Sequence, residues 1–404
     1  MASPNRIMEL SSLIAKETEK LNDFFVKNNL PTPSLDVDAL WLLPIPADAA
    51  DLEASRQAIV EACSELQDLM TGPKNLLRFK WTAYASVKAI LRFKLDSSFP
   101  VGESTSFEAM SKFSGLNVVN VRRIVRHAII NHHWFREDAP GVITHSALTA
   151  ILATDPVMRN SMIVELDEFW PAAVKMADAM EKWPNSEESN ETGFSLSNNS
   201  NKNMYEIFAG NPERGERFGA YFSREDEPGR MLLDNYPWGS HETIIDVGGS
   251  HGSVAIEIAK KFSKVKCIVQ DLADTAAEGA SRLPAELQDR QPVTADVYYF
   301  RSIFHNWADK YCIKILQNLI PALKKGAKIV VHERILPGLA NLSTDHKRRV
   351  INLDVGMQQL LNAKQREMHE WSELFQQADP RFKYLGAHRP DGAIRWIIVA
   401  EWQG

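Results

Sequence analysis

A chain of 404 residues, 44% hydrophobic and 24% charged, is long enough for two domains with full cores and has the make-up of an ordinary globular protein. A net charge of -6 leaves no electrostatic footprint for nucleic acid or anionic membrane, and no stretch approaches the roughly 18 apolar residues of a membrane span. Three cysteines, Cys63, Cys267 and Cys312, stand far apart without metal-ligand spacing, which predicts buried thiols in a reducing compartment, no metal site and, with no signal-peptide core near the start, a cytosolic protein.

Residues 5–28 read as an amphipathic helix, with Ile7, Leu10, Leu13, Ile14, Leu21, Phe24 and Phe25 at helical spacing. Such a stripe docks on its own domain or on a partner subunit. Residues 31–51, rich in proline and aspartate, read as an irregular connection, and 52–71 as a second helix. From 80 to 150 the pattern is that of a winged helix: a helix over 83–95, a turn at Pro100-Val101-Gly102, two short helices separated by Gly115 and ending near His132, then a hairpin with strands 133–135 and 142–144. The second short helix carries Arg122, Arg123 and Arg126, which in a DNA-binding module would enter the major groove. The acidic balance of the chain favours a surface or subunit-interface role for them instead.

Residues 160–183 read as helical, with Trp170 and Trp183. The polar run 185–203, with six asparagines, reads as a loop or helix entry that packs through Phe194 and Leu196. From Thr243 strands and helices alternate: strand 243–247, helix 253–262 with Val254, Ile256, Ile258 and Ala259 inward, strand 265–270, helix 273–289, strand 295–304, helix 310–323 closed by Gly326, and strand 328–335. Segments 382–385 and 394–402 flank Asp391-Gly392, a hairpin signature. Together these predict a mostly parallel, doubly wound α/β sheet ending in an antiparallel pair.

Two motifs carry chemistry. Gly248, Gly249 and Gly252 follow a strand and precede a helix, so backbone can approach a ligand closely at a helix N-terminus. The spacing is not the dinucleotide fingerprint, but Asp271 at the end of the next strand stands where an acid can bind ribose hydroxyls. His305 follows a strand whose carboxyl end faces the ligand side of such a sheet, and Glu333 ends the neighbouring strand, where a carboxylate can fix the imidazole tautomer. His332 and His369 read as structural, and Trp307 as packing that orients the turn.

From about 79 to 402 the chain resembles the fungal S-adenosylmethionine-dependent O-methyltransferases of secondary metabolism, relatives of the plant caffeic-acid and flavonoid enzymes. The resemblance rests on ETGFSLSNN (191–199), IIDVGGSHGS (244–253), DVYYFRSIFHNWADKYCIKIL (296–316), HERILP (332–337) and LLNAKQREMHEW (360–371). It implies a helical, winged-helix dimerisation domain over 1–160 and a Rossmann-like methyltransferase domain over 161–404, acting as a homodimer. It also implies that Gly248 and Gly249 cradle the methionine end of S-adenosylmethionine, that Asp271 holds the ribose, that Arg301 lines the cofactor site, and that His305 is the general base oriented by Glu333. The acceptor expected is a phenolic or enolic hydroxyl of a polyketide-type metabolite, met by residues from 170–183, 191–199 and 354–362, Met357 among them.

Three departures stand out. Between Asp289 and Ala295 the chain is shorter than the family pattern, where a strand with an adenine-binding acid is usual. Gln365 stands where the family often has a second glutamate, and Asn306 where an aspartate follows the base. These leave two alternatives open: a pericyclase or other non-methylating enzyme that keeps the cofactor bound, and a non-catalytic homologue.

Overall fold

The structure, a computed structural model, describes residues 5–46, 48–78, 80–223, 229–250, 252–271, 295–336, 344–390 and 393–404. It divides into two compact units, one formed by 1–168 with 216–224 and 343–345, the other by 169–215, 225–342 and 346–404. The expected helix 273–289, the short passage 291–294 and the turn at Asp391-Gly392 lie outside the described residues.

In the first unit, α1 (Arg6–Lys27) lies against α2 (Ala50–Thr71). Leu21 and Phe25 of the apolar stripe are buried with Leu52, whereas Ile7 and Leu13 stay exposed. A second core joins Val87, Ile90 and Leu91 of α3 (Ala85–Arg92), Phe107 and Met110 of α4 (Phe107–Ser114) and Val121, Val125 and Ala128 of α5 (Val118–His132). Gly115 ends α4 in the left-handed region, which a glycine enters without the Cβ penalty. Three short strands follow the order β1 (Ser104–Thr105), β3 (Val142–Thr144), β2 (Arg136–Ala139), all antiparallel.

The hairpin departs from expectation. Its first strand starts at Arg136, not His133, because His133 and Phe135 adopt positive φ (55° and 65°) and Trp134 and Phe135 turn into the core. Arg126 forms a two-pronged ion pair with Glu137 (2.6 and 2.8 Å), and Arg122 lies 3.7 Å from Glu108 and over the Phe107 ring. Arg126 holds the Glu137 carboxyl down to about 2. Two of the three helix arginines are thus engaged within the chain. Cys63 is exposed and Cys267 half-buried, which corrects the expectation of buried thiols; only Cys312 meets it.

The second unit is built on a six-stranded sheet in the order β10-β11-β7-β6-β4-β5, where β4 is Thr243–Val247, β5 Lys266–Gln270, β6 Val297–Arg301, β7 Lys328–Glu333, β10 Phe382–His388 and β11 Trp396–Trp402. The β4, β5, β6 and β7 pairings are parallel, and β11 joins β7 and β10 antiparallel, so this is an α/β fold of the expected kind. The central strands are apolar on both faces: Ile245, Tyr298, Ile329 and Val331 belong to one core, Ile244, Val297, Tyr299 and Val330 to the other. The helix Ser253–Lys261 buries Val254, Ala255, Ile258 and Ala259; Ile256, expected inward, is only half-buried, with Ala255 in its place.

Ahead of the sheet lies the helix Trp170–Lys182, entered through one π-helical turn at Glu165–Phe169. The asparagine-rich run does pack. It forms the short helix Gly193–Ser197, with Phe194 fully buried. Gly193 lies so close to the preceding helix that a Cβ there would stand 2.3 Å from the Ala172 carbonyl oxygen. Asn362, at the end of the helix Thr344–Leu361, donates to the carbonyls of Glu188 (3.0 Å) and Glu191 (2.9 Å), tying 354–362 to the 191–199 segment.

Candidate active site

The carboxyl ends of β4 and β6 lie side by side, since Ile245 pairs with Tyr298 and Asp246 with Tyr299. Ligands of open α/β sheets bind beyond such ends. The chain leaves β4 through Gly248, whose φ of 73° an L side chain rarely adopts. Gly249 packs on Asp246 so tightly that a Cβ would stand 2.6 Å from its carboxyl. No side chain larger than hydrogen fits, which leaves the backbone of this turn bare for close approach. The turn is pinned to the end of β5: the Gly248 N–H donates to the Gln270 carbonyl (2.7 Å) and the Ser250 N–H to Asp271 Oδ2 (2.8 Å). Gly248, Gly249 and Asp271 therefore form one constellation, with Arg301 at the end of the adjacent strand.

His305 is not at the tip of a strand. β6 stops at Arg301 instead of running to Phe304. Ser302 takes a positive φ of 55°, its N–H donates to the His332 carbonyl (3.2 Å), and its Oγ accepts from Arg395 Nε (3.1 Å). A 3-10 turn, Phe304–Asn306, then presents the imidazole. His305 Nδ1 meets Glu333 Oε2 at 2.6 Å, and the His305 N–H reaches Glu333 Oε1 at 3.3 Å. Nε2 has no hydrogen-bond partner among the described residues. Glu333 is 1% exposed. Burial opposes its ionisation most, but His305 beside it, by charge and hydrogen bonds, and Arg395 more remotely hold the carboxyl below the usual range. The two motifs touch. Ile303, two residues before the base, packs on Gly248, its Cδ1 lying 2.4 Å from where a Cβ would be.

Of the two histidines expected to be structural, His332 lies inside the fold and His369 at its surface. His332 is buried against the Tyr299 hydroxyl (3.1 Å), and burial with Arg395 and Arg301 pushes its imidazole down to about 2. His369 is exposed beside Glu367. Trp307 packs on the core below the turn.

Two residues carry more than the sequence announced, Asp246 and Arg366. Asp246 is a charged residue inside an apolar strand, and that alone could have flagged it. Burial raises its carboxyl to about 7, Arg301 opposing and Asp271 adding to the shift. An acid whose folded pKa is raised keeps its proton while the unfolded chain loses it near ~4, so folding stability declines as pH climbs between ~4 and ~7. Asp246→Asn should abolish that decline: urea unfolding is expected to show the variant gaining on the native protein across this window, and a constant difference would refute the assignment. Arg366, 1% exposed, reaches the base-bearing turn from a distant segment. Gln365 is also 1% exposed, and neither of its amide atoms has a partner among the described residues.

The glycine turn, two carboxylates and an arginine suit a ligand with a charged amino-acid end and a ribose diol, which is the make-up of S-adenosylmethionine. Comparisons agree. Residues 204–380 match the model of the O-methyltransferase domain family. O-methyltransferase AMT9 of Alternaria alternata is 36% identical over 99% of this chain and 98% of its own length. The grayanic acid biosynthesis cluster O-methyltransferase of Cladonia grayi is also 36% identical, over 99% of this chain and 88% of its own. Among solved structures, OxaC superposes with a TM-score of 0.78 at 18% identity, covering 98% of this chain and 99% of that one, a likeness of fold. Identity of this level over the full length decides the family: the chain belongs to the S-adenosylmethionine-dependent O-methyltransferases of fungal secondary metabolism.

Proposed function

We propose that this enzyme methylates a phenolic or enolic hydroxyl of a polyketide-type metabolite, with His305 as general base and Glu333 as the group that orients it. The observation that carries this reading is the 2.6 Å contact of His305 Nδ1 with a fully buried Glu333, which leaves Nε2 without a partner among the described residues. Bound S-adenosylmethionine supplies an electrophilic methyl group on a sulfonium. A phenol, with a pKa near ~10, is within reach of a neutral imidazole at neutral pH, whereas an aliphatic alcohol is not. Nε2 takes the hydroxyl proton. Glu333, accepting from Nδ1–H, holds the required tautomer and stabilises the imidazolium that forms. Gly248 and Gly249 receive the methionine end with bare backbone, Asp271 holds the ribose hydroxyls, and Arg301 lines the same site beside Asp246. Beyond this the reaction needs positioning and exclusion of water. The helix Trp170–Lys182, the 191–199 segment and residues 354–362, with the buried Met357, are the walls we assign to the acceptor.

The test is incubation of purified protein with methyl-labelled cofactor and a panel of phenolic polyketides. Label should appear on oxygen, with one S-adenosylhomocysteine released per product. Product without S-adenosylhomocysteine would favour a pericyclase that retains its cofactor. No binding of S-adenosylhomocysteine by calorimetry would favour a non-catalytic homologue.

We further assign residues 1–160 to a winged-helix dimerisation domain and 161–404 to the methyltransferase domain of a cytosolic homodimer. The first unit leaves Trp81 86%, Ile130 78% and Leu77 74% exposed, apolar side chains that a second copy would cover in this reading. Among the described residues no helix is long and apolar enough to cross a membrane. Sedimentation is expected to give twice the chain mass of 45.6 kDa. A monomer that persists at micromolar concentration would remove the dimer.

A further inference from the structure

His305 sits on the turn after β6 and Glu333 at the end of β7, and neither the turn nor the strand end fixes their mutual position alone. The turn is short, follows a positive-φ serine, and is helical for only three residues. A buried guanidinium from a third segment supplies the missing constraint. Arg366 Nη1 donates to the carbonyl of Phe304 (2.9 Å), the residue before the base, and Nη2 to the carbonyl of Trp307 (2.9 Å), two residues after it. Its Nε donates to Asp309 Oδ1 (2.9 Å), which lies at the start of the helix Asp309–Leu319. Nη2 also touches Cys312 Sγ (3.1 Å), and the group lies over the Trp371 ring.

The backbone of Arg366 does a second thing. Its strand, β9 (Arg366–Glu367), pairs in parallel with β8 (Ile335–Leu336), and Arg366 stands opposite Ile335, two residues past Glu333. One residue therefore has its side chain bonded to the turn that bears the imidazole and its main chain paired with β8, the short strand that begins two residues after the carboxylate. A planar fork can bridge two carbonyls and a carboxylate at once; a lysine ammonium of the same charge cannot keep that geometry. Burying a full charge to hold two main-chain carbonyls is costly unless every donor is engaged, as most are here.

We propose that Arg366 is the positioning residue that sets His305 against Glu333 and so fixes which imidazole nitrogen carries the proton. The inference rests on the reading of His305 as base, and it acts through His305 without touching substrate.

The test reads the ring itself and needs no acceptor. Protein labelled with 15N in its 11 histidines is examined by NMR at alkaline pH, where free imidazoles are neutral. The His305 signal is assigned by its loss in His305→Gln. The native protein should show His305 protonated at Nδ1, and Glu333→Gln should lose that tautomer. Arg366→Lys should lose most of it too, while the signal of His332 on β7, held by the Tyr299 hydroxyl of β6, stays in place. Two results would overturn the proposal: an unchanged His305 signal in Arg366→Lys, or His305 and His332 shifting together, which is what general loosening produces. If circular dichroism shows Arg366→Lys unfolded, Asp309→Ala replaces it, because it removes the carboxylate that Nε (2.9 Å) and Nη2 (2.8 Å) meet and leaves both turn carbonyls in place. Partial loss of the tautomer then supports the proposal, and an unchanged signal overturns it. Normal turnover by His305→Ala would sink the base reading separately, leaving the ring measurement as a finding about this clamp alone.

Discussion

His305→Ala is expected to lower kcat by about 100- to 10,000-fold, the range over which a positioned acid or base contributes. Affinity for S-adenosylhomocysteine should stay within about twofold of native, because the side chain packed on Gly248 is Ile303, which the substitution leaves in place. The two readouts together distinguish a lost base from a damaged fold. Glu333→Gln should act in the same direction, by about tenfold or more, because an amide can donate toward Nδ1 and so favour the tautomer that leaves Nε2 protonated. Single-turnover assays with labelled cofactor measure both. A His305→Ala enzyme that turns over normally would end the account of proton removal given above.

Asp271→Ala carries the second large effect, on binding instead of rate. Its carboxylate holds the Ser250 N–H at 2.8 Å, one residue past the end of β5. Charge-assisted hydrogen bonds are worth about 1.5–3 kcal/mol each, so loss of one or two contacts should weaken the cofactor by about 10- to 100-fold or more. With the cofactor raised to saturation, kcat should recover to near the native value, which separates this residue from His305. Titration calorimetry with S-adenosylhomocysteine gives the dissociation constant, and an unaltered value would take Asp271 out of the ribose site.

The sheet was legible where the sequence was locally consistent. Strand 243–247 was placed to the residue, because an apolar run stops at a glycine turn that no strand can continue. The helix after it was placed within one residue, but its inward face was misjudged at Ile256, since a helix face is set by the strand it covers and not by hydrophobicity alone. What the residues hid are conformations imposed from far away. Ser302 has no propensity that announces a positive φ; His332 and Arg395, distant in sequence, hold it there, and so the strand ends three residues early. His133 and Phe135 behave likewise at the first hairpin, where burial of two aromatics outweighed extended pairing. In the site, the contact of His305 with Glu333 could be anticipated from strand adjacency. Arg366 could not, because 57 residues of chain separate it from Asp309, its ion-pair partner.

Seating the proton acceptor on a turn after β6, with the glycine grip on β4 and β5, makes the two halves of the chemistry separable. A His305→Gln protein should remain able to hold donor and acceptor together while failing to join them. Such an inert complex is a bait: the small molecule it retains from an extract, in the presence of cofactor, would disclose the natural acceptor by mass alone.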